Sequence, residues 1–333
     1  MTQLIRYSII IPVYNRPDEL DELLESITKQ TYRDYEVIVV EDGSTVSSEH
    51  IVSKYNDRLT VYYYQKPNSG PGLSRNYGAE RSKGEYFIIL DSDCILPSGY
   101  LDAIEQEINA KPADAFGGPD RAHQSFTDLQ KAINYSMTSF LTTGGIRGGK
   151  KKLDKFYPRS FNMGIRASVY KELGGFADMR FGEDVDFSIR IYRAGYSCRL
   201  FPGAWVYHKR RTDLKKFFKQ VHNSGIARIN LYKKYPDSLK LVHILPALFT
   251  IGFVLLIIVG ILCWWFFIPV LFYVAAIFFD ATLKTANIKI GLYSVAAAFT
   301  QLTGYGSGFL WAWWRRCVLK KDEFSAFNGN FYK

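Results

Sequence analysis

Short apolar runs alternate with polar, helix-forming segments from the start of the chain to residue 90. The runs at residues 7–13, 35–40, 59–64 and 85–90 predict four buried strands. The segments between them predict helices over 17–30, about 47–56 and about 72–82, the first opened by Pro17 and two acidic residues. Strands that alternate with helices indicate an α/β fold with a mostly parallel sheet. Because the strands are continuously apolar, we expect both faces of the sheet to be covered.

Two long uncharged runs distinguish the C-terminal part of the chain. Leu241–Phe279 contains no Asp, Glu, Lys or Arg, and at about 1.5 Å per residue it is about twice as long as the ~30 Å hydrocarbon core of a bilayer. We therefore predict a membrane hairpin that turns near Cys263–Pro269, where Trp264 and Trp265 suit an interfacial aromatic belt. The second run, Ile290–Trp314, is rich in glycine, which favours an interfacial or re-entrant segment; a third crossing is the alternative.

A basic amphipathic segment precedes the hairpin. Leu214, Phe217, Phe218 and Val221 share one helical face flanked by lysines, as in helices that lie in a membrane interface. A helix of a soluble core is the alternative. The sequence thus predicts four parts: a globular α/β domain (1–212), an amphipathic interfacial helix or linker (213–240), the membrane hairpin with the third apolar segment (241–314), and a cytoplasmic tail (315–333).

The charge of the chain favours lipid or phosphate over nucleic acid as a partner. The formal net charge is +10, and much of the excess lies in residues 144–155 and 208–220. No signature of a nucleic-acid-binding module accompanies these segments. Basic segments beside a bilayer attract anionic lipid by about 1 kcal/mol per Lys or Arg. We therefore expect membrane lipid and no nucleic acid as a partner, with 144–155 either a mobile loop or a linker.

The N-terminus and the cysteines indicate the cellular location. The first apolar run is short and is followed by Asn-Arg-Pro instead of a small-residue cleavage site, so it does not resemble a secretory signal. The four cysteines are scattered without paired or metal-type spacing, which fits a reducing compartment. We expect a multi-pass protein of the inner (plasma) membrane whose globular domain lies in the cytoplasm.

Polar residues follow three of the predicted strands: Tyr14-Asn15, Glu41-Asp42 and Asp91-Ser92-Asp93. Ligands of such sheets bind beyond the carboxyl ends of the strands, so we expect a binding crevice here. Asp91 and Asp93 offer two carboxylates to a hard divalent ion such as Mg²⁺ or Mn²⁺. Such an ion holds a diphosphate and neutralises charge on its leaving group. Asp42 can accept hydrogen bonds from a nucleobase, and a turn or helix-cap role is the alternative.

A glycine-rich segment, GPGLSRNYGAERSKGEY, leads into the fourth strand. Gly70 and Gly72 permit a close approach of the backbone to a ligand. The planar guanidinium of Arg75 can then reach a base or a phosphate. An ordinary surface arginine is the alternative.

Four segments, in this order, resemble the family 2 glycosyltransferases of the GT-A fold: IPVYNRP, VVEDGS, GPGLSRNYGAERSKGEYFIILDSD and GGFADMRFGEDVDFSIRIYRAGY. The resemblance spans residues 7–208 and implies a Rossmann-like GT-A domain, followed here by the predicted membrane helices, that uses a nucleotide-sugar donor. It also implies that Asp91 and Asp93 form the DXD motif, with Asp91 on the donor side as well. The residues that would contact the nucleotide are Pro12, Tyr14, Asp42 and Arg75.

The resemblance assigns roles to later residues too. The family's acidic pair falls on Glu183-Asp184, in the first turn of a predicted helix that ends at Gly195. Asp184 would be the general base and Glu183 its nearest competitor, whereas a favourable interaction with the helix dipole is the alternative. His208 matches a histidine that often completes the metal site, and a plain polar residue is the alternative. Asn162 resembles a position near the sugar.

The implied activity is inverting transfer of a sugar from a nucleotide diphosphate to a hydroxyl of a lipid-linked or cell-envelope saccharide. In organisation the chain resembles exopolysaccharide transferases with C-terminal membrane helices. The Gln-x-x-Arg-Trp signature of processive synthases is absent after residue 208, which favours transfer of a single sugar. A polyprenyl-phosphate glycosyltransferase is the alternative enzyme, and an inactive scaffold subunit is the alternative of another class.

Overall fold

A computed structural model describes residues 5–123, 125–144 and 156–322. They form two compact units: the first comprises the described residues of 1–121 and 154–208, and the second those of 122–153 and 209–324. The first unit therefore differs from the continuous domain 1–212 that the sequence predicts, because the described residues 122–123 and 125–144 group with the later helices. Residues 145–155 of the basic segment and 323–333 of the tail lie outside the described residues.

The first unit contains the predicted alternation of strands and helices. Its strands are β1 (Tyr7–Val13), β2 (Tyr35–Asp42), β3 (Val61–Lys66), β4 (Tyr86–Leu90), β5 (Cys94–Ile95), β6 (Ala115–Gly117), β7 (Asp120–Arg121), β8 (Asn162–Arg166), β9 (Cys198–Leu200) and β10 (Val206–His208). Its helices, numbered with those of the second unit in chain order, are α1 (Pro17–Thr28), α2 (Glu49–Ser53), α3 (Pro71–Glu80), α4 (Tyr100–Ala110), α7 (Ala167–Glu172) and α8 (Glu183–Arg193). The elements predicted before residue 90 are confirmed, with their ends shifted by a few residues.

The main sheet has the strand order β3-β2-β1-β4-β8-β6-β9. The neighbours among β3, β2, β1 and β4 are parallel, as are β6 and β9, whereas β8 is antiparallel to both β4 and β6. The predicted mostly parallel sheet is thus confirmed. A small second sheet has the order β5-β10-β7. The carboxyl ends of β1, β2 and β4 share one edge of the main sheet, and this edge receives the polar strand-end residues.

Both faces of the main sheet are buried, which explains why its strands are continuously apolar. Ile9 and Ile11 of β1 pack into one hydrophobic cluster with residues of α1 and α4. Ile10 packs into another cluster, with Phe187 of α8. Helix α3 approaches this second face closely because Gly78 has no side chain: an added Cβ would lie 2.6 Å from Cγ2 of Ile10.

The second unit is built from helices. They are α5 (Asp128–Thr138), α6 (Phe140–Thr143), α9 (Leu214–Lys234), α10 (Leu241–Leu262), α11 (Ile268–Thr285) and α12 (Ile288–Trp313). Within the described residues, two helical segments are long and apolar enough to cross a membrane, Leu241–Leu262 and Trp264–Thr285, with mean hydropathies of 2.8 and 2.1. The break between α10 and α11 lies where the sequence predicts the hairpin turn.

Helix α12 packs between α9 and the pair α10–α11 through glycines on its different faces. An added Cβ at Gly308 would lie 2.0 Å from the backbone oxygen of His222 in α9. At Gly306 it would lie 2.4 Å from the backbone oxygen of Pro246, near the start of α10, and at Gly291 it would contact the C-terminal half of α11. Helix α12 therefore runs from the end of α11 to the beginning of α10.

The apolar face predicted for α9 is largely covered by protein. Phe217 and Val221 are buried in a cluster with Ile133 of α5 and Ala297 of α12, whereas Phe218 is exposed. The alternative of a protein core therefore fits Phe217 and Val221. Whether α9 also lies in a membrane interface stays a prediction. An amphipathic pattern could not separate the two environments, because lipid and a protein core select the same apolar stripe.

Candidate active site

Arg75 of α3 connects the end of β4 to the start of α8. Its Nη2 lies 2.7 Å from Oδ1 of Asp91, and its Nη1 lies 3.1 Å from Oε1 of Glu183. The side chain is only 3% exposed, and its Cζ lies over the ring of Phe176, 5.2 Å from the centroid. The sequence predicts an arginine that reaches the base or phosphate of a ligand. In this structure both terminal nitrogens are engaged by carboxylates instead, and contact with a donor stays a prediction.

The acidic pair begins α8. Gly182 precedes it with φ of +87°, a conformation that glycine adopts without strain. Burial and the neighbouring charge of Asp184 raise the pKa of Glu183, and Arg75 opposes that shift. Oδ2 of Asp184 pairs with Nη1 of Arg159 at 3.2 Å. A role limited to the helix dipole requires no such partners, yet each acid is paired with an arginine that lies outside α8.

Asp93 and His208 are brought together by the small second sheet, in which His208 lies opposite Cys94. Nε2 of His208 lies 3.2 Å from Oδ1 of Asp93, whose Oδ2 lies 2.7 Å from Nη1 of Arg16. Potential ligand atoms of Asp93, Cys94 and His208 all lie within 4.8 Å of one another. Burial raises the pKa of the Cys94 thiol well above its ordinary value. Of the three predicted metal ligands, Asp93 and His208 lie close together. The carboxylate of the third, Asp91, faces Arg75.

Asp42 is almost fully buried at the end of β2. Its carboxylate accepts hydrogen bonds from Lys66 Nζ at 2.7 Å, Ser69 N at 2.9 Å and Gly70 N at 2.8 Å. These bonds fix the loop that leads into α3. The predicted contact of Asp42 with a nucleobase stays a prediction, since protein groups already use both oxygens. A cavity of about 310 Å³ adjoins this strand end; its lining residues are Glu41, Gly43, Ser44, Ser47, Gln65, Lys66 and Pro67.

The end of β1 carries the other predicted donor contacts. Pro12 lies within the strand opposite Val40, and Tyr14 follows the strand half-buried. Asn15 has a positive φ of 51°, and its Oδ1 accepts hydrogen bonds from the backbone nitrogens of Thr45 and Val46 at 2.8 and 3.0 Å. Sequence reasoning missed this ordering role, although asparagine tolerates the left-handed conformation better than most residues.

Both polar atoms of the Asn162 side chain are hydrogen-bonded to protein groups. The residue is buried at the start of β8, donates to the backbone oxygen of Ala204 at 2.8 Å and accepts from the hydroxyl of Tyr100 at 2.7 Å. These bonds hold the start of β8 against α4 and against the loop that precedes β10. A role near the sugar therefore lacks support from this geometry.

The family is decided by comparison with known proteins. Residues 8–174, half of the chain, match the family described as Glycosyl transferase family 2. The chain belongs to glycosyltransferase family 2. The resemblance on which the sequence prediction relied is thereby confirmed.

Curated relatives and solved structures agree with this membership. The glycosyltransferase GlyG of Streptococcus pneumoniae is 36% identical over 120 residues, which is 35% of this chain and 39% of that protein. The glycosyltransferase AglE of Haloferax volcanii is 26% identical over 263 residues, 74% of this chain and 80% of that protein. The mannosyltransferase PcManGT from Pyrobaculum calidifontis, solved in complex with GDP-Man and Mn²⁺, superposes with a TM-score of 0.60 at 16% identity, covering 95% of this chain and 89% of that chain. The GT-A fold of this family 2 glycosyltransferase is thus confirmed.

Proposed function

We propose that this family 2 glycosyltransferase moves one sugar, with inversion, from a nucleotide-diphosphate donor to a hydroxyl group of a lipid-linked or cell-envelope saccharide. One observation carries the proposal: the Arg75 guanidinium joins Asp91, on the predicted donor side, to Glu183 of the predicted acidic pair. The two halves of the site, which lie far apart in the sequence, therefore meet at one edge of the sheet. A mannosyltransferase of this fold was solved with GDP-Man and Mn²⁺, and TarS of S. aureus, with a TM-score of 0.50, was solved with UDP-GlcNAc.

The nucleotide is assigned to the ends of β1 and β2. The cavity of about 310 Å³ beside Lys66 is large enough for a nucleobase and is lined by hydroxyl, amide and ammonium groups that can bind its edge. This region is flanked or supported by Pro12, Tyr14 and Asp42. Asp91 follows β4, the strand next to β1, and is assigned to the side of the diphosphate. The polar lining accommodates more than one base, so the donor has to be found by experiment.

A divalent ion, Mg²⁺ or Mn²⁺, fits the residues present. Asp93 offers a carboxylate and His208 an imidazole nitrogen 3.2 Å away, a donor set that Mn²⁺ accepts readily and Mg²⁺ also tolerates. Asp93 and His208 would hold the ion, with Asp91 as the third predicted ligand. When bound, the ion neutralises negative charge that develops on the departing nucleoside diphosphate. Arg16, paired with Asp93 at 2.7 Å, supplies further positive charge to the same place.

Asp184 is assigned as the general base. A base must take the proton of the acceptor hydroxyl as its oxygen attacks the anomeric carbon, and the diphosphate leaves from the opposite side. Glu183 is held by Arg75, which is buried and is itself fixed to Asp91. Arg159, the partner of Asp184, is 34% exposed, so its side chain can move aside for an acceptor. The raised pKa of Glu183 keeps it the nearest competitor for this role.

Membrane anchoring is assigned to α10 and α11. Each is long and apolar enough to cross a bilayer, and their large side chains, such as Leu255, Leu262 and Phe272, are exposed. Lys240 precedes α10 and Lys284 ends α11, so the positive-inside rule places both ends in the cytoplasm. We assign the protein to the inner (plasma) membrane, with the family 2 domain in the cytoplasm.

A panel of donors tests the activity directly. The purified full-length protein in detergent is incubated with UDP-, GDP- and dTDP-sugars, each with Mg²⁺ or Mn²⁺, and release of the nucleotide and binding of the donor are measured. Turnover of one donor class that depends on the ion supports the proposal. Binding of a nucleotide sugar without any turnover, with every acceptor offered, would favour the inactive scaffold. Rapid transfer to a polyprenyl phosphate would favour the alternative enzyme.

A further inference from the structure

The imidazole of His208 lies between two carboxylates. Its Nε2 lies 3.2 Å from Oδ1 of Asp93, and its Nδ1 lies 4.0 Å from Oδ2 of Asp120. The small second sheet creates this arrangement, because β10 pairs with β5 on one side and with β7, which contains Asp120, on the other. Phe161 stacks on the imidazole, with ring centroids 4.7 Å apart and an interplanar angle of 21°. The plane of the ring is thereby fixed with one nitrogen toward each carboxylate.

The two nitrogens of the ring then have different requirements. A metal ion shared by Asp93 and His208 needs the lone pair of Nε2, which leaves the proton on Nδ1. That Nδ1 is buried, and among the described residues it has no hydrogen-bond partner. A buried N–H without an acceptor is unfavourable by about 1–3 kcal/mol. Histidines that ligate metals almost always donate their other N–H to a carboxylate, a carbonyl or water. The carboxylate of Asp120 lies 4.0 Å from this nitrogen, about 1 Å beyond hydrogen-bond distance.

We propose that Asp120 is a positioning residue for the metal site: it accepts the Nδ1–H of His208 when Nε2 binds the ion. This role rests on the metal site of the proposed function. It requires a movement of about 1 Å, within the reach of one side-chain rotation. Asp120 touches neither the ion nor the sugar in this role. It holds the ring in the tautomer and orientation that ligation needs, and it makes the ring nitrogen more basic toward the ion.

The affinity for Mn²⁺, measured by electron paramagnetic resonance on the full-length protein without donor, tests this role independently of turnover. Loss of such a carboxylate typically weakens metal binding by about 10–100-fold. We expect Asp120→Ala to weaken Mn²⁺ binding by this factor and Asp120→Asn, whose amide oxygen can still accept, to weaken it less. Asp57→Asn removes an exposed aspartate of the same unit and is the control; its affinity should equal that of the wild type.

A double-mutant cycle separates positioning from a general loss of structure. Once His208→Ala has removed the ring, Asp120→Ala should weaken Mn²⁺ binding no further, because its effect acts through that ring. Equal effects of Asp120→Ala with and without His208 would overturn the proposal, as would unchanged affinity in Asp120→Ala. If the wild type binds no Mn²⁺, the metal site and the role of Asp120 both fail. If the wild type binds Mn²⁺ and only the cycle fails, the proposed function stands without this role.

Discussion

Nη2 of Arg75 lies 2.7 Å from Oδ1 of Asp91. The same guanidinium also holds Glu183 through its other terminal nitrogen, and it is 3% exposed. Only arginine presents several donors in a planar fork, so one residue can bridge two carboxylates that belong to different elements. The lysine ammonium is a single point charge and cannot keep both contacts at these distances. Arg75 thus couples the positions of the predicted donor side and of the acidic pair.

Arg75→Lys should therefore reduce turnover by about 10²-fold, the typical effect of a displacement of about 1 Å at reacting groups. Arg75→Met leaves two carboxylates without their partner and should lower the free energy of unfolding by about 3 kcal/mol. That is the low end of the range for buried pairs, because Asp91 is 31% exposed. Initial rates and thermal unfolding measure the two effects. Arg58→Lys changes an exposed ion pair with Glu25 and should alter neither quantity by much. Normal rates in Arg75→Lys would contradict the coupling.

Removal of the metal ion gives the second prediction. EDTA should abolish turnover, and excess Mn²⁺ should restore it, because the carboxylate and imidazole of Asp93 and His208 cannot neutralise a departing diphosphate alone. Asp93→Ala should abolish turnover, and excess Mn²⁺ should not restore it. The midpoint of thermal unfolding should move by only a few degrees, because Arg16, the partner of Asp93, is 34% exposed and water can replace the lost carboxylate. Full activity in chelator would remove the metal from the mechanism.

Much of the main sheet could be predicted because its strands are buried on both faces. Runs such as YSIIIPV and YEVIVVED contain enough apolar residues to identify a strand by themselves. The later strands could not be found in this way. β5, β7, β9 and β10 have two or three residues each, and their pairing, which depends on distant segments, defines them.

The candidate site shows the same limit. The position of Asp91, Asp93 and Asp42 at one edge of the sheet could be predicted because each ends or follows an apolar strand. Their contacts with a ligand stay a prediction. The bridge from Arg75 to Glu183 spans 108 residues, and the bond from Arg16 to Asp93 spans 77. No local spacing specifies contacts over such separations. Sequence reasoning therefore proposed individual residues, Arg75 among them, but not the ion pairs that Arg75 and Arg16 form with the acidic residues.

The path of α12 gives a prediction about membrane topology. Helix α9 packs along α12, and it carries lysines at 215, 216, 219, 233 and 234. If α12 crossed the hydrocarbon core, α9 would enter it with these charges, each unfavourable by about 2.5–3.5 kcal/mol at the bilayer centre. We therefore expect α12 to lie along the cytoplasmic interface, across the base of the α10–α11 hairpin.

Labelling of single cysteines with a membrane-impermeant maleimide in spheroplasts checks this topology. In a cysteine-free background, Asp322→Cys, just beyond α12, should react only after the membrane is permeabilised. Cys263 is exposed at the turn between α10 and α11. A second variant that keeps Cys263 as its single cysteine is the control and should react from outside. Reaction of the cysteine at position 322 in intact spheroplasts would establish three crossings and contradict the interfacial position.

The last prediction concerns Asp184 and separates the two enzymatic hypotheses. A sugar hydroxyl is hardly ionised at neutral pH, so its attack needs a base, which typically contributes about 10²–10⁴-fold to the rate. A polyprenyl phosphate is already an anion and needs none. If the acceptor is a hydroxyl, Asp184→Asn should reduce kcat by about this factor at saturating donor while donor binding changes little, because the amide has the shape of the carboxylate but cannot take the proton.

Glu183→Gln is the matched comparison: it weakens the bond to Arg75 and should impair donor binding as well as turnover. A large loss of kcat confined to Glu183→Gln would transfer the role of base to Glu183. Near-normal turnover in both variants would leave no base among the acidic pair and would favour a phosphate acceptor, with Arg159 beside Asp184 as the cation available to receive it.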